Sequence, residues 1–184
     1  MARPVGGTFA QRKRHMEAKP TTLSYVETTN MVLPNDTNTL GHLFGGQLLK
    51  WLDMNCAISA GRHANRICVT AAVNNVSFDV PIKLGDLVII KSHVSRTFRT
   101  SMEVWADVWT ENQVSRKLTK CNSAIYTFVA VGADGKPTEM PAVIPVTDEE
   151  KERYQGALRR RQLRLVLAGK MTPEEATELR SIFP

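Results

Sequence analysis

The stretch at residues 33–64, LPNDTNTLGHLFGGQLLKWLDMNCAISAGRHA, determines how the chain can fold. Its first part is rich in turn-forming residues, with Pro-Asn-Asp at residues 34–36 and a glycine at Gly41. Residues 44–64 then have the length of a helix and few β-branched side chains. Apolar residues surround this predicted helix on nearly all sides, so we expect it to be buried at the centre of the domain.

One carboxylate interrupts the apolar helix. Between residues 43 and 61 the only formal charges are those of Lys50 and Asp53. A carboxylate on a buried helix is costly unless it is paired or used. Two interpretations stay open. Asp53 is either a structural acid, paired with Lys50 or satisfied in the core, or an acid that takes part in chemistry.

Two glycines, Gly45 and Gly46, stand at the predicted start of the helix. Without side chains there, the first free N–H groups can bind an anion or stabilise negative charge that develops on an oxygen. Alternatively, the glycines only permit a tight loop or close packing. Gly46 and Asp53 share a helix face but lie about 10 Å apart along the axis. A site that uses both must therefore be built from two subunits.

His42, just before the helix, is either a hydrogen-bonded loop residue or a participant in chemistry. A metal site made from His42 and Asp36 lacks a third ligand at suitable spacing, so no metal is expected. The chain has neither a G-x-S-x-G nucleophile elbow nor a glycine-rich phosphate loop. Cys56, Cys68 and Cys121 form no C-x-x-C pair, which predicts reduced thiols in a reducing compartment.

The rest of the chain's body reads as strands. One predicted strand precedes the helix at residues 23–33, and four follow it at 67–80, 86–97, 101–112 and 119–131. The third of these four alternates well, with one face made of small or apolar residues: Met102, Val104, Ala106 and Val108. One long helix ahead of a four-strand meander predicts an α+β fold whose sheet wraps around the helix.

Charge separates the N-terminal end from the body. Of the net charge of +6 in 184 residues, +4 belongs to residues 1–20, which predict a flexible basic tail, with an organelle transit peptide as the alternative. Residues 21–146 form the predicted domain. No apolar run approaches the ~20 residues that a membrane-spanning helix needs. The basic charge is not spread over a face in the way that nucleic-acid binding requires.

Residues 147–184 predict a C-terminal helical extension. Thr147 and Glu150 form a capping box, Gly169 is a helix stop, and a second short helix is predicted to start at Thr172. The first of these helices carries a cluster of arginines, interpreted as a solvated face or subunit contact, or else as a contact to a nucleotide phosphate: Arg159, Arg160, Arg161 and Arg164.

The opening stretch resembles the hotdog-fold acyl-CoA thioesterases of the YciA and brain acyl-CoA hydrolase type. The family pattern P-x-D-x-N-x-x-G-x-x-F/H-G-G, followed by a helix with an M-D or L-D pair, is met at Pro34, Asp36, Asn38, Gly41, Phe44, Gly45, Gly46 and Asp53. Further matches are V-T-A-x-V-x-x-V-x-F at 69–78, P-I-x-x-G-D at 81–86, R-T-S-M-E at 99–103 and T-F-V-A-V at 127–131. Together the motifs cover about residues 21–155.

The resemblance implies a hotdog fold, in which a five-stranded antiparallel sheet wraps around one long helix. Two such units would pair into a continuous sheet, with a trimer of dimers as the expected assembly. The implied activity is hydrolysis of acyl-CoA to a fatty acid and CoA in the cytoplasm. No cofactor is expected beyond the CoA of the substrate itself. The expected partners are acyl-CoA and further copies of this chain, with no nucleic acid and no membrane insertion.

The resemblance also implies roles for single residues. The family's catalytic acid falls at Asp53, either as general base on water or as nucleophile on the thioester. The position of His42 varies in the family, and where it is asparagine it assists catalysis from the opposing subunit. Here the imidazole is expected to hydrogen-bond the thioester oxygen or to orient the water. The N–H of Gly46 is expected to polarise the thioester carbonyl.

Arg99, Thr100 and Ser101 match a segment that lies near the CoA phosphates in this family. Arginine can bind a phosphate through two parallel hydrogen bonds, and the hydroxyls add donors. The alternative is a turn at the strand edge with a solvated arginine. Two other functions stay open beside the thioesterase, namely a non-catalytic acyl-CoA-binding sensor and a hotdog dehydratase. The presence of Asp53 distinguishes a thioesterase from a sensor, because a sensor needs no catalytic acid.

Overall fold

The computed structural model describes residues 16–74, 76 and 80–181. The predicted flexible tail at 1–20 therefore lies largely outside the described residues. Within them the strands are β1 (Lys19–Pro20), β2 (Val26–Met31), β3 (Ile67–Asn74), β4 (Leu87–Thr97), β5 (Ser101–Glu111), β6 (Leu118–Val131) and β7 (Val143–Ile144). The helices are α1 (Gly45–Ala64), α2 (Asp148–Leu167) and α3 (Thr177–Arg180).

Five strands form one antiparallel sheet in the order β2-β4-β5-β6-β3. The sheet curls around α1, which contacts all five strands, while β1 and β7 make a separate short parallel pair. The predicted α+β hotdog architecture is therefore confirmed. None of the helices in the described ranges is long and apolar enough to cross a bilayer.

The core lies between α1 and the inner face of the sheet. The predicted inward face of β5 is confirmed, because its four alternate residues from Met102 to Val108 are all fully buried. From the helix side, Leu52, Cys56 and Ala60 are equally buried. These three residues lie on one face of α1, because residues three or four positions apart share a helix face. The packing therefore follows from the sequence pattern.

The expectation that α1 is buried on all sides is wrong for the single protomer. Met54 is 55% exposed and Ile58 is 45% exposed, on the helix side that turns away from the sheet. The sheet wraps only one side of a helix about 10 Å across, so an apolar surface of α1 stays uncovered.

Two predicted strands are shorter than expected. Residues 21–24 form a 3₁₀ turn instead of the start of strand 23–33, because the Ser24 hydroxyl donates to the carbonyl of Thr21 and accepts from the Val94 N–H. The strand predicted at 67–80 ends at Asn74, and most of the residues after it lie outside the described ranges.

The C-terminal helices follow their predicted caps only in part. The capping box of Thr147 and Glu150 starts α2, and Gly169 adopts a positive φ of 64° just beyond its end. Thr172 and Glu175 also exchange capping hydrogen bonds, yet only a turn follows them. The helix α3 begins later than predicted, because Ala176 has the non-helical angles φ −82° and ψ 59°.

Two members of the arginine cluster of α2, Arg160 and Arg161, contact the sheet and are not part of a solvated face. The helix lies across the outer face of the sheet, and Arg160 donates to both carboxylate oxygens of the buried Glu103 in β5. The guanidinium of Arg160 also lies 5.2 Å from the ring centroid of Trp105. Long arginine stems cover the outer side chains of β5 while their charged ends find partners on the sheet.

Replacement of Leu52 by alanine tests the packing of α1 into the sheet. We expect Leu52→Ala to lower the free energy of unfolding by about 2–5 kcal/mol, because it removes a fully buried side chain and leaves a cavity. Urea denaturation measures the change. The matched control is Leu167→Ala at an exposed position of α2, which should change the free energy by less than about 0.5 kcal/mol. Equal losses in both variants would contradict this assignment of the core.

Candidate active site

Asp53 lies half-buried midway along α1, where its Oδ1 accepts a hydrogen bond of 2.7 Å from the Thr70 hydroxyl in β3. The pairing with Lys50 considered from the sequence does not form, and Asp53 takes part in no ion pair of the described residues. A carboxylate held by a hydroxyl and not neutralised by a cation keeps its second oxygen available for proton transfer or attack.

The thiol of Cys56, one turn further along α1, is not a competing nucleophile. The side chain is fully buried, and that burial, with a smaller contribution from the charge of Asp53, raises the pKa of its thiol. The thiol therefore stays protonated and packs as a small core residue, as expected from its position.

Asn38 organises the loop that leads into α1. Its Oδ1 accepts hydrogen bonds from the N–H groups of Leu40 (2.9 Å) and His42 (3.2 Å), and its own N–H donates to the carbonyl of His42 (2.7 Å). The side chain of Asn38 therefore forms an Asx turn, and the backbone hydrogen bond between Asn38 and His42 closes the loop. The side-chain amide nitrogen of Asn38 donates to no residue in the described part of the chain.

His42 and Asn38 line a cavity of about 180 Å³. Its walls come from the start of α1, the segment before β4 and the beginning of β6: Leu43, Leu48, Val80, Pro81, Ile82, Cys121 and Asn122. The wall is mostly apolar and includes a few polar side chains, as is usual for pockets that bind small molecules. Asp53 is not among these residues.

Gly46 is the second residue of α1, and its N–H meets no acceptor among the described residues. The N-cap residue is Phe44, whose side chain makes no capping hydrogen bond. A Cβ atom at Gly46 would lie 2.5 Å from the Phe44 ring, so glycine permits this close approach. The free N–H groups at this helix start can stabilise a negatively charged oxygen.

Arg99, Thr100 and Ser101 form a tight hairpin between β4 and β5. Arg99 is exposed at the tip, and the carbonyl of Thr100 accepts from the Ala130 N–H. The Ser101 hydroxyl accepts a hydrogen bond of 3.0 Å from Nη1 of Arg161 in α2. The hairpin thus brings the three predicted residues together and adds an arginine from the C-terminal extension.

One protomer does not unite the predicted catalytic residues. His42 lines the cavity beside α1, whereas Asp53 faces Thr70 on β3, outside that cavity. The described residues include no group of three or more His, Cys, Asp or Glu side chains placed to bind a metal.

Asn38 and Thr70 had no assigned role in the sequence analysis, although both belong to the quoted motifs. The Asx-turn spacing of Asn38 before Leu40 and His42 is a local signal that could have singled it out. For Thr70 no local signal exists, because its contact with Asp53 depends on how β3 returns along α1.

Comparison with known proteins identifies the family. Residues 40–116 match the Thioesterase superfamily. The chain is 43% identical to mouse acyl-coenzyme A thioesterase 11 over 143 residues, which are 78% of this chain and 24% of that protein. It is 38% identical to the uncharacterized acyl-CoA thioester hydrolase YkhA of Bacillus subtilis over 137 residues, 74% of this chain and 80% of that protein. The chain thus spans about a quarter of the mouse relative and most of the bacterial one.

Solved structures are similar over most of the chain. The acyl-CoA hydrolase of Bacillus cereus matches with a TM-score of 0.80 at 35% identity, covering 91% of this chain and 99% of that one. An apo-hexameric acyl-CoA thioesterase matches with a TM-score of 0.81 at 38% identity, with 83% and 98% coverage. The Staphylococcus aureus acyl-CoA hydrolase in complex with butyryl-CoA and CoA has a TM-score of 0.77 at 33% identity, with 83% and 95% coverage.

Three further structures of the Staphylococcus aureus hydrolase each carry one alanine in place of a polar residue. The replaced residues are an asparagine, an aspartate 15 positions later and a threonine 17 positions after the aspartate. These chains match with TM-scores of 0.77 to 0.79 at 32–33% identity. With the fold, the sequence motifs and these relatives in agreement, the chain belongs to the hotdog-fold acyl-CoA thioesterases of the Thioesterase superfamily, which are thioester hydrolases.

Proposed function

We propose that this protein hydrolyses the thioester bond of acyl-CoA, at a site formed by two subunits. One subunit contributes Asp53 and Thr70, and the other contributes Asn38, His42 and Gly46. The observation that carries the proposal is a matching spacing. Asn38, Asp53 and Thr70 are separated by 15 and 17 residues, as are the three residues replaced in the Staphylococcus aureus hydrolase.

Asn38 thereby joins His42 as a candidate to assist from the opposing subunit. The free amide nitrogen of Asn38 is a donor suited to the thioester oxygen or to a water molecule. His42 lines the same cavity. The N–H of Gly46, at the start of α1, is a third donor for the negative charge that develops on the carbonyl oxygen.

Asp53 can act in either of two ways. As a base, it takes a proton from water, whose oxygen adds to the carbonyl carbon; the C–S bond then breaks, and the proton leaves with the CoA sulfur. As a nucleophile, a carboxylate oxygen adds to the carbonyl carbon, the C–S bond breaks, and CoA leaves as a thiolate that takes a proton from water. Water then hydrolyses the mixed anhydride. The Thr70 hydroxyl orients the carboxylate in both routes by fixing one oxygen.

The second subunit is expected to join along β3. This strand is an edge of the sheet, and Ile67 and Val69 on it are 76% and 48% exposed. An exposed apolar edge strand is a site for pairing with another chain. Pairing of two β3 strands makes one continuous sheet and brings Asp53 of one subunit near the partner's cavity. The hexameric state of a structural neighbour supports a trimer of such dimers.

The substrate's CoA end is assigned to the hairpin of Arg99, Thr100 and Ser101, where the exposed Arg99 is free to bind phosphate. No further cofactor is part of the proposal. We also propose a cytoplasmic location, because Cys56, Cys68 and Cys121 are all free thiols, as expected in a reducing compartment.

Asp53→Asn should lower kcat for acyl-CoA hydrolysis by about 100- to 10,000-fold, because the amide can neither accept the proton nor attack. Thr70→Val should lower it by about tenfold through loss of one hydrogen bond to the carboxylate. Release of free thiol from a series of acyl-CoAs measures both and reports the preferred chain length. The control is Asp148→Asn at a solvent-exposed position of α2. Near-normal turnover by Asp53→Asn would remove this residue from the mechanism, and binding without turnover by the wild type would favour a sensor.

Mixed oligomers test whether the site is shared. Neither Asp53→Asn nor Asn38→Ala subunits should be active alone. When equal amounts are unfolded and refolded together, half of the dimers are mixed, and one of the two sites in each mixed dimer is intact. About a quarter of the wild-type activity should therefore return. If all the catalytic residues came from one subunit, mixing would restore nothing.

A charge placed on β3 tests the assembly. Val69→Lys should convert the oligomer to smaller species and abolish activity, since a lysine on an edge strand opposes pairing. Light scattering coupled to size-exclusion chromatography measures the mass. Val114→Lys, in an exposed turn away from β3, is the control. An unchanged mass and activity for Val69→Lys would place the subunit contact elsewhere.

A further inference from the structure

Four of the five arginines of α2 fall into two classes by their counter-charges; the fifth, Arg159, takes part in no ion pair of the described residues. Arg153 and Arg160 are neutralised on the outer face of the sheet by Asp107 and Glu103, respectively. Their guanidinium groups also stack on Trp105, at 4.7 and 5.2 Å from the ring centroid. These two residues attach α2 to β5, and their charges are balanced.

Arg161 and Arg164 are not balanced. Neither of them pairs with a carboxylate anywhere in the described ranges. Arg161 is held in place by the Ser101 hydroxyl and lies 4.3 Å from the ring centroid of Phe98. Burial, and next the nearby charge of Arg164, lower the pKa of Arg161. Two neighbouring guanidinium groups without an anion repel each other, so an anion bound between them is stabilised.

A groove opens beside these two residues. Arg164 lines both a small niche next to Arg161 and Phe98 and a larger groove of about 580 Å³. The groove has an aliphatic side as well as a basic one, formed by Ile125, Leu163 and Leu167. Its volume falls in the range of sites for small organic ligands. A nucleoside that carries a phosphate matches this combination of apolar and basic walls.

We infer that Arg161 and Arg164 of α2 bind a phosphate group of the nucleotide end of CoA, together with the Arg99–Ser101 hairpin. This inference rests on the proposed function. It assigns the C-terminal extension, which lies largely beyond the family motifs, a direct role in substrate binding. Planar guanidinium groups suit a phosphate because each can donate two parallel hydrogen bonds.

The hairpin lies close enough to Thr70 and Asp53 for one ligand to contact both places. Ser101 pairs with Val129 in β6, and Val129 pairs with Val69, the residue before Thr70. Two strand spacings therefore separate the hairpin from the β3 position next to Thr70, a distance of about 10 Å. Thr70 faces Asp53 on the inner side of the sheet, whereas Arg161 meets Ser101 on the outer side with α2. A bound CoA has to pass around the end of the strands at this hairpin.

Substrates that lack parts of the nucleotide test the inference. For wild type, Arg161→Ala and Arg164→Ala, we compare KM and kcat with an acyl-CoA, the acyl-dephospho-CoA and the S-acyl-pantetheine. Each variant should raise KM for acyl-CoA about tenfold, as expected for loss of one charge-assisted hydrogen bond, with kcat unchanged. For acyl-pantetheine, KM should not change. The matched control is Arg159→Ala, which removes the same charge from α2 but lines neither the niche nor the groove.

The results show which phosphate of CoA is bound, and they distinguish failure of this inference from failure of the proposed function. Loss of the effect with acyl-dephospho-CoA assigns the contact to the 3′-phosphate, and its persistence assigns it to the diphosphate. An equal rise of KM for acyl-CoA and acyl-pantetheine, or no rise for either, overturns the inference. If wild type hydrolyses none of the substrates, the proposed function fails, and calorimetric titration with CoA itself then decides the inference. Binding that is about tenfold weaker in Arg161→Ala supports it, and equal binding overturns it.

Discussion

The rest of the structure depends on the contact between α1 and the sheet, where the helix face combines small side chains with one large leucine. Cys56 and Ala60 are fully buried there, and Leu52 is the large residue that fills the space between them and the strands. Narrow side chains let the helix axis approach the strands closely, and dense packing of such an interface supplies most of its stability. The polar Asn55 on the same side is accommodated because it donates to the Thr28 hydroxyl and the Ile90 carbonyl.

The same constraint leaves part of the apolar surface of α1 uncovered in the protomer. A curled sheet covers one side of the helix, so Met54 and Ile58 stay exposed together with the apolar edge of β3. Asp53 lies at the border between the covered and the uncovered side, where it reaches Thr70 but not the cavity beside His42. A carboxylate in this position is ordered by the Thr70 hydroxyl and stays partly exposed at the surface of the protomer. The cost of placing a charge on an apolar helix is thereby reduced, since the border is not the dry interior.

The contact of α2 with the outer face of the sheet depends on arginines that pair with acids and stack on aromatic rings. Tryptophans and acids of β5 alternate there with the buried inward residues, and α2 covers them with arginine side chains. Glu103 is the centre of this contact, since it accepts from Ser95 as well as Arg160 while almost fully buried. A buried carboxylate with several donors holds the orientation of α2, and that orientation brings Arg161 to the hairpin at Ser101.

Local patterns determined much of this protein. The length and composition of residues 44–64, the alternation from Met102 to Val108 and the Thr147 capping box each depend on neighbours a few residues away, and the sequence therefore predicted them correctly. The motifs likewise pointed to Asp53, and to its family, without any coordinates. Contacts between distant segments were decided only by the tertiary structure. Thr70 meets Asp53 because β3 returns along α1, and Arg160 and Arg161 take different partners because α2 crosses the sheet at one particular angle. Adjacent residues on a helix point about 100° apart, so the docking of the whole helix chooses their partners.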